Sequence, residues 1–160
     1  MDGRKYGVLS CRPGFLLAEA LVILFLVSLA GTLTFPSIRS WQEKKELDLA
    51  AETLAAAIRQ VQVLSRNDTG RYGNTASEYH FYCLPDAKGE VIYYTRRGVS
   101  RMEPEGKLPS SIRLSGKLDL TFHKTYAGDG NTYSAVLITR DGKYKRQVTV
   151  AMYTGRVRVN

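Results

Sequence analysis

The sequence predicts an α+β fold. A long N-terminal helix, membrane-spanning in its first half and amphipathic in its second, packs on a C-terminal antiparallel β-sheet domain. Three observations predict it. Residues 15–35 read FLLAEALVILFLVSLAGTLTF, 21 residues with one charge, Glu19. Residues 36–66 then carry Leu47, Ala51, Leu54, Ile58 and Val61 at steps of three and four, the single apolar stripe of an amphipathic helix. From Tyr72 onward the apolar period changes to two, and Asp141-Gly142 between two such runs is a strong hairpin signal.

The elements follow in order. Residues 1–14 form a short basic leader with Arg4, Lys5 and Arg12 and no apolar run of its own, and these cations keep the N-terminus cytoplasmic. Residues 15–35, at about 1.5 Å per residue, match the roughly 30 Å of a bilayer's hydrocarbon core. A carboxylate in such a run is costly, so Glu19 has either a functional partner or a position close enough to the membrane edge to reach water or take a proton. Pro36 removes a backbone donor and can kink a continuing helix. The stripe beyond it is most simply the seam against a globular body, and Asn67-Asp68-Thr69-Gly70 reads as the stop. In the β-rich domain, residues 67–160, strands are expected at 79–84, 91–95, 112–114, 118–123, 134–139 and 145–153, with a last short one at Val157 and Val159. Residues 96–110, with Pro104, Gly106 and Pro109, read as irregular.

Gly14-Phe15-Leu16-Leu17-Ala18-Glu19, with a basic leader before it and an apolar run after it, resembles the type IV prepilin signature. Leu16 stands where Thr or Ser is usual, and Ala18 where a larger apolar residue is common. The resemblance implies a pilin fold and cleavage after Gly14 by a membrane aspartyl prepilin peptidase. It also implies N-methylation of the new terminus at Phe15, and an assembly role for Glu19. Pro36 matches a proline often found in pilin helices. Cleavage would expose an amine at Phe15, and the Glu19 carboxylate of one subunit can meet that amine on its neighbour. Such a pair sets register more than it adds net stability. The implied partners are the prepilin peptidase, a major pilin, other minor pilins or pseudopilins, and an inner-membrane assembly platform. The implied location is the cytoplasmic (inner) membrane, single-pass with the N-terminus in the cytoplasm, and then an extracytoplasmic filament.

The chain carries a formal charge of +8, and loss of Arg4, Lys5, Arg12 and Asp2 with the leader would leave +6. That balance suits a polyanionic partner, and equally a solubilising excess. In the closing run Gly155-Arg156-Val157-Arg158-Val159, a strand would put Arg156 and Arg158 on one face and the valines on the other. Lys143, Lys145 and Arg146 lie near the preceding hairpin and can extend the basic surface. Tyr144 and Tyr153 could add stacking or simply pack. The Gly-Arg-x-Arg ending is similar to that of GspH/FimT-type minor pilins, some of which bind DNA through it. Double-stranded DNA is therefore a compatible partner. The alternative is a solvated edge strand charged against aggregation.

Little in the sequence points to catalysis. His80 and His123 are isolated and without metal-ligand spacing, and neither a phosphate loop nor a G-x-S-x-G motif occurs. No cofactor or metal is implied. Of the two cysteines, Cys11 falls in the leader and Cys83 in a strand, where it reads as a small core residue. These observations support a non-enzymatic filament subunit, with DNA contact as an added function. The competing reading is an unprocessed single-pass membrane protein with an exported β domain.

Overall fold

The computed structural model describes the backbone of residues 13–68, 78–123 and 131–160, and the side chains of these except 13–16 and 32–37. The chain divides into two compact units, Met1–Ser40 and Trp41–Asn160, and helix α1, Pro13–Asn67, contributes to both.

In the first unit, Leu17, Leu21, Val22, Ile23, Leu24, Phe25, Leu26, Val27 and Leu29 are between 50% and 66% exposed. Consecutive residues turn by about 100° around a helix, so the run from Leu21 to Val27 is apolar on every side. Glu19 is exposed in the same stretch.

The second unit packs the rest of α1 with eight strands. These are β1 (Tyr79–Pro85), β2 (Val91–Arg97), β3 (Ser100–Lys107), β4 (Ile112–Ser115), β5 (Leu118–Phe122), β6 (Thr132–Thr139), β7 (Lys145–Ala151) and β8 (Arg156–Val159). They form two four-stranded antiparallel sheets, a first of order β3-β2-β1-β5 and a second of order β4-β6-β7-β8. The apolar stripe of α1 supplies the helical side of the core: Leu47, Ala51, Leu54, Ile58 and Val61 are fully buried. They join Phe81, Cys83, Leu118, Leu120 and Phe122 of the first sheet and Ala135, Leu137, Val148 and Val150 of the second in one cluster. Alanines 50, 51, 55 and 57, all buried, combine high helix propensity with a slim profile.

Polar ties at the rim orient the helix. Asp48 pairs with Arg146 at 2.7 Å, Glu46 accepts the Ser111 hydroxyl at 2.7 Å, and Gln62 donates to the Gly155 carbonyl at 3.0 Å. Just past the helix, Asp68 pairs with Arg97 at 2.6 Å and accepts the Tyr79 hydroxyl at 3.2 Å.

The expected architecture is corrected in two respects. One long helix, membrane-spanning in its first half, was expected on one sheet. The backbone of α1 is continuous over Pro13–Asn67, and among the described residues no stretch of it is long and apolar enough to cross a membrane. The body also holds two sheets where one was expected. The consecutive strands β4 and β5 part company at Gly116, whose φ of +91° turns the chain in a way few other residues adopt. β4 then pairs with β6, and β5 returns to the far side of β1. A third difference lies at 96–110, expected to be irregular, where β3 forms despite Pro104. β3 is an edge strand, so the missing N–H costs no ladder bond, and the Pro104 carbonyl accepts the Thr95 hydroxyl at 3.0 Å.

Because the helical stripe serves both sheets, Leu54→Ala should destabilise the protein by about 2–5 kcal/mol, the range for a fully buried leucine. Leu49→Ala, at a side chain 67% exposed, should change stability by less than about 0.5 kcal/mol. Urea titration followed by circular dichroism would measure both.

Candidate nucleic-acid interface

The second sheet has an inner face on the core and an outer face toward solvent, and strand register assigns each side chain to one of them. On β7, Val148 and Val150 are buried, so Lys145, Gln147, Thr149 and Ala151 face outward. Their β8 neighbours across the ladder are Arg158, opposite Thr149, and Arg156, opposite Ala151. Val157 is buried beside Val150, while both arginines are exposed. On the other side, β6 contributes Thr132, Ser134, Val136 and Ile138 to the outer face, and β4 contributes Arg113, opposite Ile138, and Ser115. The outer positions of the four strands thus hold Arg113, Lys145, Arg156 and Arg158 and no acidic residue. Among them stand small hydroxyl side chains that can donate hydrogen bonds.

Local geometry explains the Gly-Arg-Val-Arg ending. Gly155 has φ of +68° and its N–H donates to the Ala151 carbonyl at 2.8 Å, closing the turn between β7 and β8. The Thr154 hydroxyl accepts the Arg156 N–H at 3.3 Å. Gln62 and Arg59 of α1 donate to the Gly155 and Val157 carbonyls at 3.0 and 3.4 Å, which fixes this short edge strand on the body. Arg156 and Arg158 then stand about 7 Å apart along the strand, a spacing close to that of successive phosphates. Tyr153, in the same turn, is 87% exposed.

The β6–β7 hairpin is built around Asp141. Its carboxylate accepts the Thr139 hydroxyl at 2.6 Å and the Lys143 N–H at 3.1 Å, and Gly142 has φ of +75°. These hydrogen bonds, the one from Thr139 first, hold the Asp141 carboxyl below its usual pKa. The turn exposes Lys143, whose ammonium lies 5.3 Å from the Tyr144 ring centroid.

The structure thus brings Arg156, Arg158 and Lys145 onto one face and puts Lys143 in the turn at its end. It does not bring Arg146 there: that side chain lies on the inner face, held by Asp48. Arg113 joins the face and was not anticipated. Its signal was present, a cation between the apolar residues Ile112 and Leu114, but the pairing of β4 with β6 could not be read from the sequence. Gly14, Phe15 and Pro36, expected to serve cleavage, methylation and the helix kink, lie outside the residues whose side chains are described. Comparison with protein-family models, curated proteins and solved structures finds no match for this chain.

Cys83 is fully buried on the inner face of the first sheet, and burial pushes its thiol up to about 12. In a Cys11→Ser protein at pH 8, Cys83 should therefore resist a thiolate-selective reagent while folded and react fully once unfolded in guanidinium. Absorbance of the released chromophore would report both states.

Proposed function

We propose that this chain is a minor pilin or pseudopilin, a structural subunit of a type IV pilus, type II secretion or DNA-uptake filament. It is processed by prepilin peptidase and contacts double-stranded DNA through the outer face of its second sheet. The observation that carries the filament reading is the spacing of Gly14, Phe15 and Glu19 at the head of an apolar run. The apolar surface at residues 17–31 supports it, since a helix apolar all round finds its favourable setting against lipid or other protein. In a filament that surface becomes packing area, and Glu19 meets the Phe15 amine of a neighbouring subunit. On this reading the protein is processed at the inner membrane with the major pilin, other minor pilins or pseudopilins and the assembly platform. It then works in an extracytoplasmic filament.

The DNA reading rests on the acid-free outer face. A duplex carries one charge per roughly 1.7 Å of axis, and each phosphate neutralised by a cation releases counterions. Exposed guanidinium groups, planar and carrying five N–H donors each, suit that contact.

Two experiments test the reading. Mass spectrometry of the protein from cells carrying the peptidase should find a mature chain beginning at N-methylated Phe15, and Gly14→Ala should abolish it. A wild-type chain that keeps Met1–Gly14 would overturn the filament assignment. Separately, Arg156→Ala with Arg158→Ala should weaken duplex binding and flatten the dependence of log K on log salt by about 2. Arg146→Ala should leave that slope unchanged. An unchanged slope in the double variant would remove β8 from the interface.

A further inference from the structure

The outer face of the first sheet differs in chemistry from that of the second. Its two central strands, β1 and β2, present aromatic side chains side by side. Tyr82 stands opposite Tyr94 with ring centroids 5.2 Å apart, and His80 stacks on Tyr82 at 6.1 Å. Arginines flank them. Arg96 lies opposite His80, and Arg101 on the edge strand β3 lies opposite Arg96. The Arg101 guanidinium sits 4.1 Å from the Tyr94 ring centroid and that of Arg96 5.8 Å from it. Beside this group a shallow cavity of about 340 Å³ is lined by Ile92, Tyr94, Arg101, Glu103, Gly106 and Lys107.

This arrangement has no role in the core. Tyr82, Tyr94 and His80 are half-buried, both arginines are exposed, and all of them lie on the solvent side of the sheet. Rings on the two central strands of a four-stranded antiparallel sheet form the platform on which unpaired bases stack, since every base has a π face. A guanidinium held over a ring adds a second planar surface and keeps donors free for a phosphate. Charge sets the path of the backbone. Arg101 and Arg96 stand side by side in one row with no acid between them; Glu78 reaches His80 at 3.7 Å further along it, Asp119 lies opposite Tyr82 on β5, and Glu103 and Glu105 project from β3. A strand of nucleic acid would therefore run its phosphates along the arginine row and lay its bases toward the tyrosines. Duplex DNA, with its bases stacked inside, cannot use such rings.

We infer that this face binds single-stranded nucleic acid, with Tyr82 and Tyr94 stacking bases and Arg96 and Arg101 holding the backbone. The site is on the other sheet from the basic face and does not rest on the filament assignment. The test uses the full chain and a fluorescein-labelled oligothymidine of about 12 nucleotides, within the span of a single binding fold, read by anisotropy at low salt. Tyr82→Ala with Tyr94→Ala should weaken binding by about tenfold or more, the loss of one stacked base or two. Tyr82→Phe with Tyr94→Phe should retain wild-type affinity, since the rings remain. Arg101→Ala, at an exposed side chain whose loss leaves the fold intact, should weaken binding severalfold. Arg156→Ala with Arg158→Ala should spare oligothymidine binding while impairing duplex binding. The inference is overturned if the wild-type chain shows no saturable oligothymidine binding. It is equally overturned if Arg101→Ala and the tyrosine-to-alanine pair bind as wild type, or if the loss follows only the β8 arginines.

Discussion

One helical stripe holds the body together. Leu47, Ala51, Leu54, Ile58 and Val61 have no exposed surface, and they belong to the same buried cluster as the inner faces of both sheets. Neither four-stranded sheet could bury its apolar face alone, and the helix answers that need for both. Its slim alanine-rich surface lets two sheets share one element. The cost is that each sheet keeps a second face in water. Those outer faces are where the chain has latitude, and it has filled them with unlike chemistry: cations and hydroxyls on the second sheet, rings and guanidinium groups on the first.

Much of this was legible from residue order. The stripe was visible as steps of three and four because a helix has no other way to present one face. The hairpin at Asp141-Gly142 was visible because few residues accept the backbone it needs, and the alternation in Arg156-Val157-Arg158 followed from the pleat. What could not be read was pairing. Nothing in Ile112-Arg113-Leu114-Ser115 says that its partner is β6, seventeen residues or more downstream, and so the sheet was miscounted and Arg113 overlooked. Strand β3 was missed for a related reason: Pro104 argues against a strand only where its N–H is wanted, and whether a strand is at an edge is a property of the whole sheet. Arg146 shows the limit of grouping charges by nearness in sequence, since its neighbour Lys145 points the opposite way.

The apolar stretch near the N-terminus is a different kind of statement. Inside the second unit, apolar side chains fall on one stripe and are covered. Among the described residues of the first unit, 17–31, they fall on every side and are exposed, with Glu19 among them. A chain that exposes so much apolar surface is incomplete as a solitary molecule. The proposed filament reading would account for it, since subunits that share a helical interior supply one another's cover.

The anchoring of β8 has a mechanical meaning. A four-residue edge strand held only by its ladder to β7 would peel away bond by bond when pulled from its outer side. Here Gln62 and Arg59 grip the Gly155 and Val157 carbonyls from the helix, and Asp48 holds Arg146 on the adjoining strand. Tension on the arginine-bearing edge therefore divides between the sheet and the helix at once. A pull on that edge is thus met at the turn by the Gln62 amide and along the strand by the Arg59 guanidinium, before the ladder to β7 has to open alone.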